Sequence, residues 1–168
     1  MLKVSLKALE RGEVAVREQV APDDPMWEGA GFELAEPLHV DLTAREVGDG
    51  VFVRGRLRTR VRLACRRCLA PVELPVDDTV DLLYETLADD EQEADGEVYP
   101  LPPRGDTLDL GEAVREQLLL RAPAFALCRE ACRGLCPRCG ADLNESECDC
   151  VPETAESPWD ALKNVKFD

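Results

Sequence analysis

Val53-Arg54-Gly55-Arg56-Leu57-Arg58-Thr59-Arg60-Val61-Arg62-Leu63 places a guanidinium at every second position, with small, apolar or hydroxyl side chains between. Period two is the repeat of a β-strand, whose successive side chains point to opposite faces. Arg54, Arg56, Arg58, Arg60 and Arg62 therefore share one face, and the alternate residues share the other. Upstream, Leu38, Val40, Leu42 and Ala44 alternate with His39, Asp41, Thr43 and Arg45, and Gly48-Asp49-Gly50 turns the chain. Residues 38–44 and 51–63 are thus expected to pair as an antiparallel hairpin. Downstream the chain turns at 65–71. Val72, Leu74 and Val76 continue the alternation, followed by Val80 and Leu82, which gives either a third strand alone or a third and a fourth.

The remaining segments fill in the architecture. Residues 3–9 alternate loosely as a strand, 14–20 are ambiguous, and 21–37 hold Pro22, Pro25, Gly29 and Gly31, a loop pinned by Trp27 and Phe32. Between Asp89 and Glu97 six of nine residues are acidic, a solvated loop, and 99–105 is extended linker. Asp109 followed by Glu112 has the spacing of a capping box, and Leu110, Ala113, Val114, Gln117 and Leu118 recur on one helix face until Pro123 ends it. Ser157-Pro158-Trp159-Asp160-Ala161-Leu162 is expected to be a short C-terminal docking helix anchored by Trp159. The expected fold is α+β: an antiparallel β-sheet or partly open barrel with a covering helix and a C-terminal cysteine-rich extension. Residues 1–127 form the core and 128–168 the extension.

The chain has 168 residues, 35 acidic and 20 basic, and a formal charge of −15, so its mean field repels phosphate and any RNA contact must be local. The segment 54–68 carries seven arginines, Arg66 and Arg67 included, and no acid; it is +7 against −22 for the rest. Along a strand those arginines lie about 6.7 Å apart, close to the phosphate spacing of a nucleic-acid strand. Two readings stand side by side. One is contact with an RNA backbone. The other is internal pairing with Asp41, Glu73 and Asp77, or a protein partner. No aromatic residue interleaves the row, so base stacking of the kind used by single-strand readers is not supported, and any RNA binding is expected to be backbone-directed. No apolar stretch is long enough to span a bilayer, and the opening residues lack a secretory leader's apolar core, so the chain is expected to be cytoplasmic and free of membrane.

In a reducing compartment eight cysteines point to metal rather than disulfides. Cys136-Pro137-Arg138-Cys139-Gly140 is a metal knuckle, and Cys148-Asp149-Cys150 supplies two more sulfurs after a short loop, forming one four-thiolate site. The remaining pairs, Cys65/Cys68 and Cys128/Cys132, make a second site joining sheet to helix end. Two structural zinc ions are expected, with no open position for catalysis. A rubredoxin-like iron centre and a thiol redox pair at Cys65 and Cys68 remain the alternatives. His39 is the only histidine, and no phosphate-binding loop or activated serine motif occurs, so an enzyme is disfavoured.

Three pieces, taken in order, resemble the YceD family, the large ribosomal RNA subunit accumulation proteins of bacteria and plastids. They are Leu63-Ala64-Cys65-Arg66-Arg67-Cys68-Leu69-Ala70-Pro71, the helix from Leu108 to Leu120 with Pro123, and Gly134-Leu135-Cys136-Pro137-Arg138-Cys139-Gly140-Ala141-Asp142-Leu143-Asn144. The closing Ser157 to Leu162 segment is similar too. The resemblance implies a non-catalytic factor for processing or accumulation of large-subunit ribosomal RNA, with no catalytic residues to carry over. Its partners would be that RNA or its precursor, or a basic ribosomal protein or processing enzyme. A zinc-ribbon adaptor for another protein machine is the alternative.

Overall fold

The computed structural model describes residues 2–86, 98–102 and 106–150. The acidic run 89–97, the linker's end at 103–105 and the C-terminal segment with Trp159 lie outside the described residues. Strand β1 (Lys3–Ser5) leads into a four-residue helix α1 (Leu6–Leu9), so only the first part of the expected opening strand is extended. The ambiguous stretch becomes β2 (Val14–Val20). After a 3-10 turn (Pro25–Trp27) and the two-residue β3 (Glu33–Leu34), the hairpin appears as expected, with β4 (Leu38–Val47) antiparallel to β5 (Gly50–Ala64).

Of the two alternatives downstream the single strand is formed: β6 (Pro71–Glu85) pairs with β5 from Val51↔Tyr84 to Ala64↔Pro71 without a slip. The sequence suggests a break because Asp77-Asp78-Thr79 interrupts the apolar alternation; Asp78 sits opposite buried Leu57 yet is exposed. Continuous backbone pairing carries the strand through that point. Two short strands escape the hydrophobic pattern. β7 (Val98–Pro100) runs parallel to β6, and β8 (Thr107–Asp109) pairs with β1 in a separate two-stranded sheet.

The main sheet runs β2-β4-β5-β6-β7 as an open path, with β3 extending β4's edge along β5. The sheet's path does not close into a barrel. Its inner face is aliphatic: Leu38, Leu42, Val53, Leu57, Val61, Val80 and Leu82 are fully buried. Each such side chain is worth about 1.5–3 kcal/mol on leaving water, which fixes the register, since a one-residue slip would bury the arginines instead. Thr59, the polar residue in this layer, donates its hydroxyl to Glu36 O at 2.8 Å.

Helix α2 (Gly111–Arg121) covers part of that face through Ala113, Val114 and Leu118. Asp109 does cap its start, accepting Gly111 N–H at 2.9 Å, but Leu110 is the residue at the N-cap position, so the full capping box is not formed. Trp27 is buried and donates its indole N–H to Ala21 O at 3.0 Å, and Arg115 of α2 donates to Met26 O and Glu28 O. The loop 21–37 is thereby pinned at its tryptophan. No helix among the described residues is long and apolar enough to cross a membrane.

Candidate metal centres and arginine face

The turn that joins β5 to β6 is built like the one at 136–140. Leu69 N–H donates to Cys65 O at 2.9 Å and Cys65 N–H to Ala70 O at 2.7 Å; Gly140 N–H donates to Cys136 O at 2.9 Å and Cys136 N–H to Ala141 O at 2.8 Å. Both turns close on a left-handed residue, Leu69 at φ 62° and Gly140 at φ 74°. Glycine takes that conformation freely; leucine does not. Since Leu69 is 65% exposed, Leu69→Gly should raise stability by about 1 kcal/mol, read as a higher midpoint in denaturant unfolding. A lower midpoint would mean that the leucine is held by contacts worth more than its strain.

These turns bring the thiols together four and four. Cys65, Cys68, Cys128 and Cys132 form one group and Cys136, Cys139, Cys148 and Cys150 the other, the sulfurs within each group lying within 4.8 Å of one another. In the first group Cys65 Sγ lies 3.9 Å from Cys132 Sγ, and Cys68 Sγ lies 3.6 Å from Cys128 Sγ. Four sulfurs at about 2.3 Å from a tetrahedral ion stand about 3.8 Å apart, so the spacing fits one metal ion. None of the eight cysteines is in a disulfide. Each group could hold one ion.

The electrostatics of the free thiols point the same way. Backbone N–H groups, that of Cys68 first and then that of Cys128, draw Cys65 down to about 6, and those of Cys139 and Arg138 do the same for Cys136. Burial, then the neighbouring sulfurs, pushes Cys128 up to about 12; the sulfurs of Cys139 and Cys136, then burial, push Cys150 up to about 12. In each group backbone N–H groups draw one sulfur toward the thiolate, while burial and the neighbouring sulfurs hold another protonated. A divalent ion removes that conflict.

The two groups are stitched to each other by residues the cysteine count does not reveal. Leu135 N–H donates to Arg67 O at 3.0 Å, and a side chain at Gly134 (φ 78°) would meet Arg67 O at 2.9 Å. Asn144 Nδ2 donates to Cys132 Sγ at 3.5 Å while its Oδ1 accepts from Arg133 N–H at 2.8 Å. The Asp142-Leu143-Asn144 turn, held by Asp142 Oδ1 on Asn144 N–H, is the signal that would have found Asn144.

All five strand arginines project from the solvent face of β5, but most are occupied. Arg54 pairs with Asp81 at 3.2 Å, Arg56 makes a fork to Asp77, Arg60 lies 4.0 Å from both Glu36 and Glu73, and Arg62 bonds Glu73 at 2.7 Å and reaches Glu33 at 3.7 Å. Of the acids expected opposite, Glu73 and Asp77 serve the row, whereas Asp41 pairs with Arg17 of β2. At the knuckle, Arg67 donates to Cys132 O at 2.8 Å and Glu130 O at 3.3 Å. Arg58 and Arg66 have no carboxylate partner among the described residues. Arg58 is exposed beside His39, its register partner, and Arg66 lies 3.9 Å from the centre of the Phe125 ring.

An open, mainly antiparallel sheet with a covering helix and two four-cysteine clusters defines an α+β protein in which each cluster could hold a metal ion. The model of the YceD family, described as large ribosomal RNA subunit accumulation protein YceD, matches residues 53–166, and the chain belongs to that family. It is 28% identical over 157 residues to the large ribosomal RNA subunit accumulation protein YCED homolog 1, chloroplastic, of Arabidopsis thaliana, covering 77% of this chain and 49% of the relative. The Zea mays protein of the same name is 27% identical, over 71% of this chain and 50% of its own length. The chain thus spans about half of those chloroplast relatives. An uncharacterized protein of Mycobacterium bovis is 29% identical over 168 aligned residues, 84% of this chain and 80% of that one. No solved structure matches.

Proposed function

We propose that the chain is a cytoplasmic, non-catalytic factor that supports accumulation of large-subunit ribosomal RNA, contacting the precursor's backbone through arginines of the segment 54–67. The family match carries this reading, since it runs from β5 through both cysteine groups. Two zinc ions hold the groups closed, each supplying charge and four bonds to sulfur, and neither leaves a position for a reacting water. The core 1–127 and the extension 128–168 are then joined by the first zinc, whose ligands come from both.

The ion pairs on the arginine face set how strong the RNA contact is. Exposed pairs of this kind are worth about 0–1 kcal/mol, so phosphate can displace a carboxylate, but the displaced acids stay nearby and repel it. The contact therefore rests on Arg58 and Arg66, with the paired arginines as secondary donors. The slope of log affinity against log salt should be about −1.5 to −2 on single-stranded RNA, rather than the value of about −5 expected if all seven arginines met phosphate. Arg58→Glu should weaken binding several-fold and make the slope shallower by about 0.7. In cells lacking the protein, large-subunit ribosomal RNA should fall relative to small-subunit RNA, and the wild-type chain should restore it. An unchanged ratio in such cells would overturn the proposal.

A further inference from the structure

The strand row contains no aromatic residue, but the fold brings one to its end. Phe125 lies in the strap between α2 and the first cysteine group, and the neighbouring Ala126 is buried with its carbonyl accepting Arg66 N–H at 2.8 Å. That bond fixes the strap against the knuckle and sets the Arg66 guanidinium on the Phe125 ring, 3.9 Å from its centre. The ring nevertheless stays 66% exposed, so the rest of its surface is open to solvent. Among the described residues it is the only exposed aromatic: Trp27 and Tyr84 are buried, and Phe32, Phe52 and Tyr99 are half-buried.

A large apolar ring left in water costs free energy that the fold could have recovered by turning it inward. Here it is held outward with a cation against it. Among the described residues Arg66 has no carboxylate partner, unlike four of the five arginines in the strand. The surrounding segments 65–68 and 128–140 carry Arg66, Arg67, Arg129, Arg133 and Arg138 against one acid, Glu130. A zinc ion held by four thiolates would carry −2 at each cysteine group, and these arginines offset that charge locally.

We infer that the Phe125–Arg66 pair is a stacking platform for one unpaired base of single-stranded RNA, placed at the end of the arginine row where the backbone would leave it. The inference rests on the RNA-binding reading above and adds what is recognised: an unstacked base in a loop or end, not a duplex. A π-face on a guanidinium-backed ring accepts any base, so the contact selects single strands without selecting sequence. A duplex keeps its bases stacked internally and offers nothing to the ring.

The test uses the full chain loaded with zinc and a fluorescently labelled oligoadenylate, free or annealed to oligouridylate, with binding read by anisotropy across a salt series. The free strand should bind more tightly than the duplex. Phe125→Ala should weaken free-strand binding about tenfold, leave duplex binding unaltered, and keep the salt slope, because no charge is removed. Phe125→Trp should restore affinity. Since the side chain is exposed, zinc content and melting temperature should match wild type, which separates loss of contact from loss of fold. Wild-type binding to the free strand with Phe125→Ala indistinguishable from it would overturn the platform and leave the ribosomal RNA role standing. Photocrosslinks from position 125 that capture a protein and no RNA would overturn it as well. No binding to either RNA, in a protein that still restores large-subunit RNA in cells, would sink the platform together with the direct backbone contact.

Discussion

Cys65→Ser should cost the protein most of its stability, by about 4 kcal/mol or more, whereas Cys136→Ser should leave the sheet's melting almost unmoved. The difference follows from what each cysteine group ties together. Cys65 is fully buried at the end of β5, and its partners Cys128 and Cys132 lie beyond α2, so the first group closes a loop through the sheet and the helix. A structural zinc site contributes an apparent 10–16 kcal/mol where it has been measured in small domains, comparable to the whole stability of a domain of this size. Removing one ligand loses part of that and leaves three thiolates competing for an incomplete shell. The second group spans only residues 136–150, all within the extension, so its loss releases that segment alone. Metal analysis should find close to two zinc ions in wild type and one in Cys136→Ser, with thermal unfolding by circular dichroism reporting the sheet. Equal drops in melting temperature for the two variants would contradict the division of labour, and the Asn144 contact to Cys132 is the route by which that could happen.

The hairpin β4–β5 and the pairing of the eight cysteines into two groups are legible in the sequence because each rests on a short-range rule: period-two alternation in the strands, close spacing within the cysteine pairs. The structure departs from the sequence reading where the determining contact is remote. β7 and β8 are three residues each, too short for periodicity, and exist because β6 and β1 offer them backbone partners. The arginine row shows the same limit. Its facing direction was readable, but Asp81, Glu33 and Glu36 become partners only through the register of β6 and β3, so the stripe's charge is far smaller in the fold than in the chain. Phe125 reaches Arg66 only because the first cysteine group folds the strap back onto the knuckle.

Gly55→Ala is the second substitution with a large expected effect, and nothing in the arginine pattern marks it, since any small residue satisfies the alternation. Gly55 pairs with Leu42 on one side and Val80 on the other, and it has no left-handed φ, so conformational freedom is not the reason for glycine there. The reason is proximity. A methyl group built at Gly55 would meet Asp41 O and Leu42 Cα, the latter at 2.6 Å, both of them backbone atoms of β4 that no rotamer change can move. Relief requires β4 to back away from β5 along the pair that buries Leu38, Val40, Leu42 and Ala44. Overpacking of this kind costs about 3 kcal/mol, and for a chain of this length that lowers the melting temperature by about 10 °C. Arg58→Ala, on the opposite face of the same strand, is the control and should shift it by less than about 2 °C, since an exposed side chain without an ion pair contributes little to the fold. The displacement has a functional reading too: β4 carries Asp41, which holds Arg17, and His39, which flanks Arg58, so a β4 pushed outward changes the surroundings of the one strand arginine without an ion pair among the described residues. A Gly55→Ala variant that melts with wild type would mean that β4 and β5 separate there at no cost, and the close approach could then no longer be counted among the contacts that hold the arginine face in place.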